Sequence, residues 1–236
     1  MKQDSIAICV KMQEKTQYSG CSIWDEFSVG NCDRYALNFA ITLKEKFNCK
    51  INLYTMAPMK FYAELNSFFD YGIDQVYHIS DKRFGGSDSL GTAKVLSSIL
   101  QQNDERIILF GGRSDDSATS QVPIQVAGLM HFDYYDDLLF DLNIELLSDL
   151  SNSMVLSIHK KYEDRFPKMR YLIESEKKTT NHITYERIAL PNNILAYTEV
   201  TKIKRMSIQY NKMQRCVTDS EEALQLITNV CTQHGG

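Results

Sequence analysis

Short apolar runs alternate with longer segments of helical spacing through the first half of the chain. The runs are rich in β-branched and aromatic residues, as is typical of strands buried on both faces of a sheet. They predict strands at residues 5–11, 50–58, 75–80 and 106–111. The segments between and after them predict helices at residues 31–47, 61–72, 88–102 and 120–130. Strands that alternate with helices in this way predict a parallel sheet covered on both faces.

Polar residues at the starts of two of these helices predict caps. Asn31 or Asp33 would cap the first helix, and Asp88 would cap the third. Residues 12–30 are predicted to form a long loop or a small hairpin between the first strand and the first helix. Loops of this length are uncommon in compact domains unless they serve a function.

Beyond His131 the pattern changes to shorter segments with partly alternating residues. Residues 154–162, 168–175 and 182–190 predict short strands in an antiparallel meander or edge addition. Residues 202–215 form a basic arm in which apolar residues are interspersed. This composition is compatible with a solvated surface or with a segment ordered by a partner subunit. Ser220 and the acidic residues after it predict a capped terminal helix at 220–231.

These elements predict an α/β fold. It consists of a Rossmann-like parallel sheet with helices on both faces, short antiparallel strands, and a C-terminal arm that ends in a helix. The predicted domain boundary separates residues 1–200 from the arm at 201–236. In open sheets of this kind, ligands bind beyond the carboxyl ends of the strands.

Composition narrows the classes of protein to which such a fold could belong. The chain has 236 residues and 43% hydrophobic residues, which is enough for one substantial core. A net charge of −4 argues against a nucleic acid partner. The N-terminal apolar run is too short for a signal peptide or a membrane anchor, so we expect a cytoplasmic protein without membrane insertion. Six cysteines without a C-x-x-C pair indicate reduced thiols, and the dispersed histidines give a metal site little support.

The stretch GGRSDDSATSQVPIQ at residues 111–125 is the strongest candidate for a binding site. Gly111 and Gly112 allow a sharp turn and a close approach to a ligand. The small polar residues that follow, and Pro123 in the first helical turn, predict a helix start whose free amides favour an anion. A plain βα loop capped by Ser117 or Thr119 explains the same residues, so the sequence of the loop alone leaves both interpretations open.

Signals for catalysis are few. The chain has no G-x-S-x-G, P-loop or G-x-G-x-x-G motif. Asp115 and Asp116 fit turn positions or contacts to ligand hydroxyl groups better than acid–base catalysis, because nothing nearby supplies a metal or a nucleophile. Lys11, at the end of the first strand, could meet a phosphate or carboxylate or could simply end the strand. From the residues alone, the chain is predicted to be a nucleotide-binding module without chemistry of its own.

Five segments in order give the chain a family resemblance. They are ICVKM, DRYALNFAITLKEKF, LYTMAP, YGIDQVYHISDKRFGGSDSLGTAKVL and FGGRSDDSATSQVPIQVAG, which together cover about residues 5–135. They resemble the β subunit of electron transfer flavoprotein, the family that includes the FixA proteins. A weaker match, LPNNILAY at residues 190–197, stands where that family has its recognition loop.

The resemblance implies a heterodimer with an α subunit that holds a functional FAD. The β subunit would bind AMP structurally or, in electron-bifurcating members, a second FAD. Electrons would pass between flavoprotein dehydrogenases and a further acceptor, and the β-type chain would be an electron carrier subunit rather than an enzyme with its own turnover.

The family's nucleotide contacts can be carried over to matching positions of this chain. The first strand supplies Cys9, Val10 and Lys11, and the turn after the second strand supplies Met56 and Ala57. The family's N-P-F segment falls on Gly30, Asn31 and Cys32, with the asparagine displaced by one position. The phosphate loop, G-x-Q-x-x-D-x-D-T-x-Q-V in the family, corresponds to Gly111, Gly112, Arg113, Ser114, Asp116, Thr119, Ser120, Gln121 and Val122.

The chain departs from the family pattern in two places. Arg113 replaces the glutamine of the phosphate loop and Ala118 replaces its second acid, so base or ribose contacts would differ while phosphate contacts through Thr119, Ser120 and Gln121 would survive. The C-terminal arm matches the family only in being basic, although the resemblance favours contact with the α subunit there. These departures motivate an alternative function, a nucleotide-binding structural or regulatory module without electron transfer.

Overall fold

The computed structural model describes residues 5–13, 28–113, 120–137 and 153–188. The chain divides into two units after Glu199, and all of the described residues lie in the first, Met1–Glu199. The predicted C-terminal arm and helix at 201–236 and the recognition-loop segment at 190–197 lie outside the described residues. The predicted division into domains therefore stays a prediction.

The described residues form a seven-stranded sheet in which all neighbouring strands are parallel. Its strands are β1 (Ser5–Cys9), β2 (Lys50–Met56), β3 (Gln75–Ile79), β4 (Ile107–Gly111), β5 (Asp133–Asp136), β6 (Met154–Ile158) and β7 (Asn181–Ile183). The strand order is β5-β6-β4-β1-β2-β3-β7. The predicted parallel α/β sheet, with its four strands in the first half of the chain, is confirmed.

Helices connect these strands. They are α1 (Asn31–Phe47), α2 (Tyr62–Leu65), α3 (Ser89–Gln102), α4 (Gln121–Met130) and α5 (Met169–Ser175). Short 3₁₀ turns at Met59–Phe61 and Asn66–Tyr71 flank α2, so the helix predicted at 61–72 is a chain of short helical pieces that ends at Gly72. Two further 3₁₀ turns lie at Lys82–Phe84 and Tyr185–Arg187.

The predicted caps have different outcomes. Asp88 caps α3 as predicted, because its side chain accepts a hydrogen bond from the Gly91 N–H at 2.8 Å. For α1 the prediction is wrong, since Gly30 occupies the cap position and makes no side-chain cap hydrogen bond. Asp33, with its side chain in the first turn, instead accepts a hydrogen bond from the Lys11 N–H at 3.0 Å. Its carboxylate therefore ties α1 to the end of β1.

Two apolar clusters lie on opposite faces of the sheet. On one face, Leu37 and Phe39 of α1 pack with Phe68 and Phe69 against Ile6 and its neighbours in the sheet. On the other face, Val95 and Leu96 of α3 and Val126 of α4 pack against Ile108 and Val155. The central strands are almost completely buried because both faces of the sheet are covered, and successive side chains point alternately into the two clusters.

The antiparallel meander predicted after His131 is wrong for the described residues. The strand at Met154–Ile158 is buried along its whole length and lies parallel to both β4 and β5. The strand at Asn181–Ile183 is parallel to β3. Between them, Met169–Ser175 is a helix that buries Tyr171 on one side. A short apolar run is compatible with both a strand and an amphipathic helix. The sequence pattern therefore did not identify these segments correctly.

Antiparallel pairing does occur near the predicted loop or hairpin at 12–30. Met12 and Val29 form an isolated antiparallel bridge, and the Gln13 N–H donates to the Ser28 carbonyl at 2.8 Å. The two ends of this connection therefore meet just after β1 and just before α1. The residues between them lie outside the described part of the chain.

Two expectations from composition concern the cysteines and possible membrane spans. Within the described ranges, Cys9, Cys32 and Cys49 are free thiols, and the reduced state of all six cysteines stays a prediction. None of the helices in those ranges is long and apolar enough to span a bilayer.

A pair of histidines at one side of the sheet should make stability depend on pH. His78 is fully buried, pairs in register with His182, and its ring centroid lies 5.5 Å from that of His182. Burial lowers the pKa of His78, the Ala57 carbonyl at 2.8 Å opposes this effect, and His182 lowers the pKa further. The folded state therefore binds the proton more weakly than the unfolded state does.

We expect stability to be highest above the unfolded-state pKa of about 6.5 and to fall as pH drops below it. Each tenfold weakening of proton binding at His78 costs about 1.4 kcal/mol at low pH. Urea unfolding between pH 7.5 and 5 measures this loss, and His78→Gln should flatten it. His131→Asn, at an exposed histidine in left-handed backbone, is the control and should keep the wild-type slope. An equal slope in the wild type and in His78→Gln would contradict the assignment.

Candidate functional site

A cleft of about 660 Å³ opens at the carboxyl ends of the central strands. From β1 the chain passes to β2 and β3 on one side, and then returns to β4 on the other side of β1. The order of strands therefore reverses between β1 and β4, which is where open α/β sheets bind ligands. The ends of β1 and β4 line the cleft together with the first turns of α3 and α4. The cleft's volume falls within the range of small-molecule sites.

Gly111 lines the cleft, and no side chain fits at this position. A β-carbon on Gly111 would lie 2.3 Å from Asp33 Oδ1, 2.6 Å from the Asp33 nitrogen and 2.7 Å from the Cys32 carbonyl carbon. The end of β4 therefore packs directly on the start of α1. This contact and the hydrogen bond between Lys11 and Asp33 hold β1, β4 and α1 in one arrangement at the edge of the cleft.

Gly112 is enclosed from the opposite side by His159. Its N–H donates to the Ile158 carbonyl at 2.9 Å, and a β-carbon here would lie 2.0 Å from His159 Nε2. The same His159 nitrogen lies 3.1 Å from Asp136 Oδ2. Asp137 in turn accepts the His159 and Lys160 N–H groups at 2.8 and 3.0 Å. The glycine turn is thus fixed between α1 and the ends of β5 and β6.

Two helices start at the cleft. The first turn of α3 lines one side of the cleft with Ser87, Asp88, Ser89 and Thr92. The first turn of α4 lines another side with Ser120 to Pro123. Ser120 has left-handed backbone (φ 52°) and makes no side-chain cap hydrogen bond to α4. Amides at helix starts attract anions, since they carry the positive end of the helix dipole. Pro123 lies in the first turn, as predicted, and lacks an N–H.

Apolar side chains form the remaining walls. They are Val10, Met12, Tyr54, Met56, Phe84, Leu96, Phe110 and Val122. The cleft therefore combines apolar surfaces suited to a flat ring with a polar end made of glycine backbone and helix starts. This is the combination that a nucleotide requires, because its base is planar and largely apolar while its phosphate is anionic.

Cys9 lies in the cleft but has no nucleophilic character. Burial raises the pKa of its thiol well above the usual range, and the negative charges of Glu105 and Asp33 raise it further. The thiol therefore stays protonated, whereas the thiolate is the nucleophilic form. In the cleft, this side chain contributes a small apolar surface.

Nine of the predicted site residues line the cleft. They are Cys9, Val10, Lys11, Met56, Gly111, Gly112, Ser120, Gln121 and Val122. Four others are described but do not line it, namely Asn31, Cys32, Ala57 and Arg113. Of these, Cys32 backs Gly111 and Ala57 accepts the hydrogen bond of His78. Ser114, Asp116 and Thr119 lie outside the described residues, so their roles stay predictions.

Sequence reasoning missed three features of the cleft. Asp33 was predicted only as a cap, yet it holds the end of β1. The loop at residues 84–89 lines the cleft, and its two glycines after a strand were the available signal. His159 shows no signal in the sequence, because its contact with Gly112 depends on β6 lying beside β4.

Comparison with known proteins agrees with this geometry. Residues 25–138 match the family model described as the electron transfer flavoprotein domain. The chain is similar to the electron transfer flavoprotein subunit beta of Thermoanaerobacterium thermosaccharolyticum, at 33% identity over 95 residues, or 40% of this chain and 36% of that protein. It is also similar to protein FixA of Azotobacter vinelandii, at 34% identity over 38% of this chain and 34% of that protein.

A third relative has a name that refers to a reductase. The acryloyl-CoA reductase electron transfer subunit gamma of Anaerotignum propionicum is 31% identical over 40% of this chain and 37% of its own length. In each of these three comparisons, the match spans little more than a third of the relative. The resemblance inferred from the five sequence segments is confirmed.

Proposed function

Because residues 25–138 match the electron transfer flavoprotein domain and the chain is similar to β-type subunits, we propose that it is an electron carrier subunit. In this proposal its cleft binds AMP or a second FAD. The chain pairs with an α subunit that bears FAD, and the complex carries electrons in the cytoplasm between flavoprotein dehydrogenases and an acceptor. The observation that carries the proposal is the cleft at the strand-order reversal, where a glycine turn faces two helix starts.

An adenine nucleotide fits the residues of this cleft. The phosphate would be held at Gly111, Gly112 and the amides of Gln121 and Val122, where α4 starts without a side-chain cap from Ser120. The adenine would lie among the apolar walls, which include Phe84 and Leu96. A flavin bound to the complex would supply the redox chemistry, and the residues of this chain would bind and orient the nucleotide and exclude water from it.

The first test measures the nucleotides that the protein retains. The chain would be coexpressed with a candidate α subunit, and flavin and AMP released from the purified complex would be quantified by absorbance and chromatography. About one FAD and one AMP per heterodimer indicates a single-path carrier, and about two FAD without AMP indicates bifurcation. Nucleotide binding without any complex favours the structural or regulatory module, and neither nucleotide nor complex contradicts the proposal.

A matched pair of variants locates the bound nucleotide. We expect Ser89→Trp, at the start of α3 in the cleft, to lower nucleotide retention at least about tenfold because the indole fills the space of the ligand. Gln101→Trp places the same side chain at the exposed end of the same helix and should leave retention unchanged. Thermal unfolding of both variants checks the fold. Equal retention in the two variants would place the nucleotide elsewhere.

A further inference from the structure

Three buried polar atoms without a hydrogen-bond partner lie in one row across the sheet. Within the described ranges, six buried side-chain nitrogen or oxygen atoms have no such partner, and they include Thr55 Oγ1, His78 Nδ1 and His182 Nδ1. Thr55 of β2 pairs in register with His78 of β3, which pairs in register with His182 of β7. Paired residues of neighbouring strands point to the same face, so we call these three the histidine row. Buried polar groups rarely lack a partner, so the row is a candidate ligand site.

The histidine row lies on the face of the sheet opposite to α3 and α4. Tyr77 and Ile79 belong to the apolar cluster that α3 and α4 cover, and His78 between them therefore points to the other face. There the Tyr62 ring of α2 lies over the row, with its centroid 5.6 Å from that of His78 and 6.4 Å from that of His182. His78 is fully buried, whereas His182 in the edge strand β7 is half-buried. The row is therefore close to solvent on the β7 side.

The ring nitrogens of His78 restrict the kind of ligand that the row can take. Its Nε2 lies 2.8 Å from the Ala57 carbonyl oxygen, which can only accept a hydrogen bond, so this nitrogen carries the proton. In the neutral ring, Nδ1 then offers a lone pair and no proton, which suits a cation or a hydrogen-bond donor and not an anion. A backbone carbonyl on the far nitrogen is also the usual support of a metal-binding histidine, because it fixes the tautomer and orients the ring.

We propose that His78 and His182 bind a transition-metal cation such as Zn²⁺ through their Nδ1 atoms. The two ring centroids lie 5.5 Å apart on paired strand positions, so one ion can contact both rings. Imidazole suits zinc, copper and nickel, whereas magnesium and calcium prefer oxygen ligands. In the part of the chain that the structure describes, no group of three or more histidine, cysteine or acidic side chains could hold a metal ion. The two rings would thus be the nitrogen ligands, and the Thr55 hydroxyl and solvent would complete the coordination.

The cation would fasten the edge of the sheet. Strand β7 has three residues, and His182 is the middle one. His78 and His182 are far apart in the sequence and meet only in the folded chain, so an ion that needs both rings binds the folded state and stabilises it by mass action. The site lies on the side of the sheet at β7 and uses no residue of the nucleotide cleft. It therefore does not depend on the proposed function.

Zinc titration of the full chain, freed of any histidine tag, tests this site. We expect His78→Gln and His182→Gln each to weaken Zn²⁺ binding in calorimetry at least about tenfold, because one imidazole of the pair is lost. His131→Asn, at an exposed histidine, is the control and should keep the wild-type affinity. Saturating Zn²⁺ should raise the midpoint of thermal unfolding of the wild type by at least about 2 °C and leave that of His182→Gln unchanged. His182 is the less buried of the pair, so its variant keeps the test valid if His78→Gln does not fold.

Two further measurements identify the ligands and separate this site from the cleft. X-ray absorption at the zinc edge should show two imidazole ligands in the wild type, and AMP titration should give the same affinity in the wild type and in His182→Gln. Wild-type Zn²⁺ affinity in His182→Gln, or a zinc spectrum without imidazole, would overturn the site and leave the proposed function standing. A crystal structure grown with Zn²⁺ in which a water molecule bridges the histidine row would also overturn it.

Discussion

Gly111→Ala should lower the free energy of unfolding by about 3 kcal/mol and reduce nucleotide binding, because the new methyl group meets backbone atoms as well as the Asp33 carboxylate, and the backbone cannot rotate away. The Asp33 nitrogen and the Cys32 carbonyl carbon lie 2.6 and 2.7 Å from the position of the added carbon. Relief requires the start of α1 to move away from β4. That movement would also strain the hydrogen bond that Asp33 accepts from the Lys11 N–H.

Gly112→Ala provides the comparison for this prediction. The nearest atoms to its added carbon belong to the His159 ring, which can rotate away once it releases Asp136. We therefore expect a loss of about 1.5 kcal/mol, the lower end of the range for one hydrogen bond with a charged partner. Urea unfolding and AMP titration of both variants measure the difference. A Gly111 variant as stable as the Gly112 variant would show that α1 adapts at little cost.

Glu105→Ala should destabilise the fold by about 3 kcal/mol or more, because one buried carboxylate satisfies three donors. Glu105 is 2% exposed. Its Oε1 accepts from Asn52 Nδ2 at 2.5 Å and from the Tyr54 hydroxyl at 2.8 Å, and its Oε2 accepts from Ser5 Oγ at 2.8 Å. Alanine would leave the buried Tyr54 hydroxyl and the partly buried Asn52 and Ser5 donors without this acceptor, and would open a cavity at the position of the Glu105 side chain.

Two further variants make this second prediction specific. Glu105→Gln keeps the volume and one acceptor oxygen but turns its amide NH2 group towards at least one donor, so its loss of stability should be intermediate. Glu176→Ala removes an exposed carboxylate and should change stability by less than about 0.5 kcal/mol. Burial and then the charge of Glu105 raise the pKa of Tyr54, so the Glu105 variants should also ionise Tyr54 at lower pH in an ultraviolet titration. Equal stability of all three variants would contradict the role of Glu105.

The sequence predicted the first half of the fold well because local and global preferences agree there. The run Ile107–Gly111 is buried from Ile107 through Phe110 and pairs with β1 and β6, as a continuous apolar run requires. The segment Asn31–Phe47 shows its helical period directly and begins and ends at the predicted residues. The second half was harder, since Met154–Ile158 has no pattern that identifies its neighbours in the sheet.

The candidate site was partly predictable for a similar reason. Glycines after a buried strand are visible in sequence, so Gly111 and Gly112 could be placed at the cleft in advance. The sequence did not show why each position requires glycine. Only in the folded chain do Cys32 and Asp33 occupy the space beside Gly111, and His159 the space beside Gly112. Contacts between distant residues such as Ser5 and Glu105 are set by strand order, which no local pattern specifies.

The strand order has a consequence for the speed of folding. The central strand β1 pairs with β4, where Ile6 lies opposite Ile107, and β3 pairs with β7, where Tyr77 lies opposite Asn181. Each pairing closes a loop of about a hundred residues before any ladder hydrogen bond compensates for the lost chain entropy. We therefore expect slow refolding in which β1, β2 and β3 assemble first and the edge strand β7 joins last. Until the three residues of β7, Asn181–Ile183, pair with β3, that edge of the sheet stays open to aggregation.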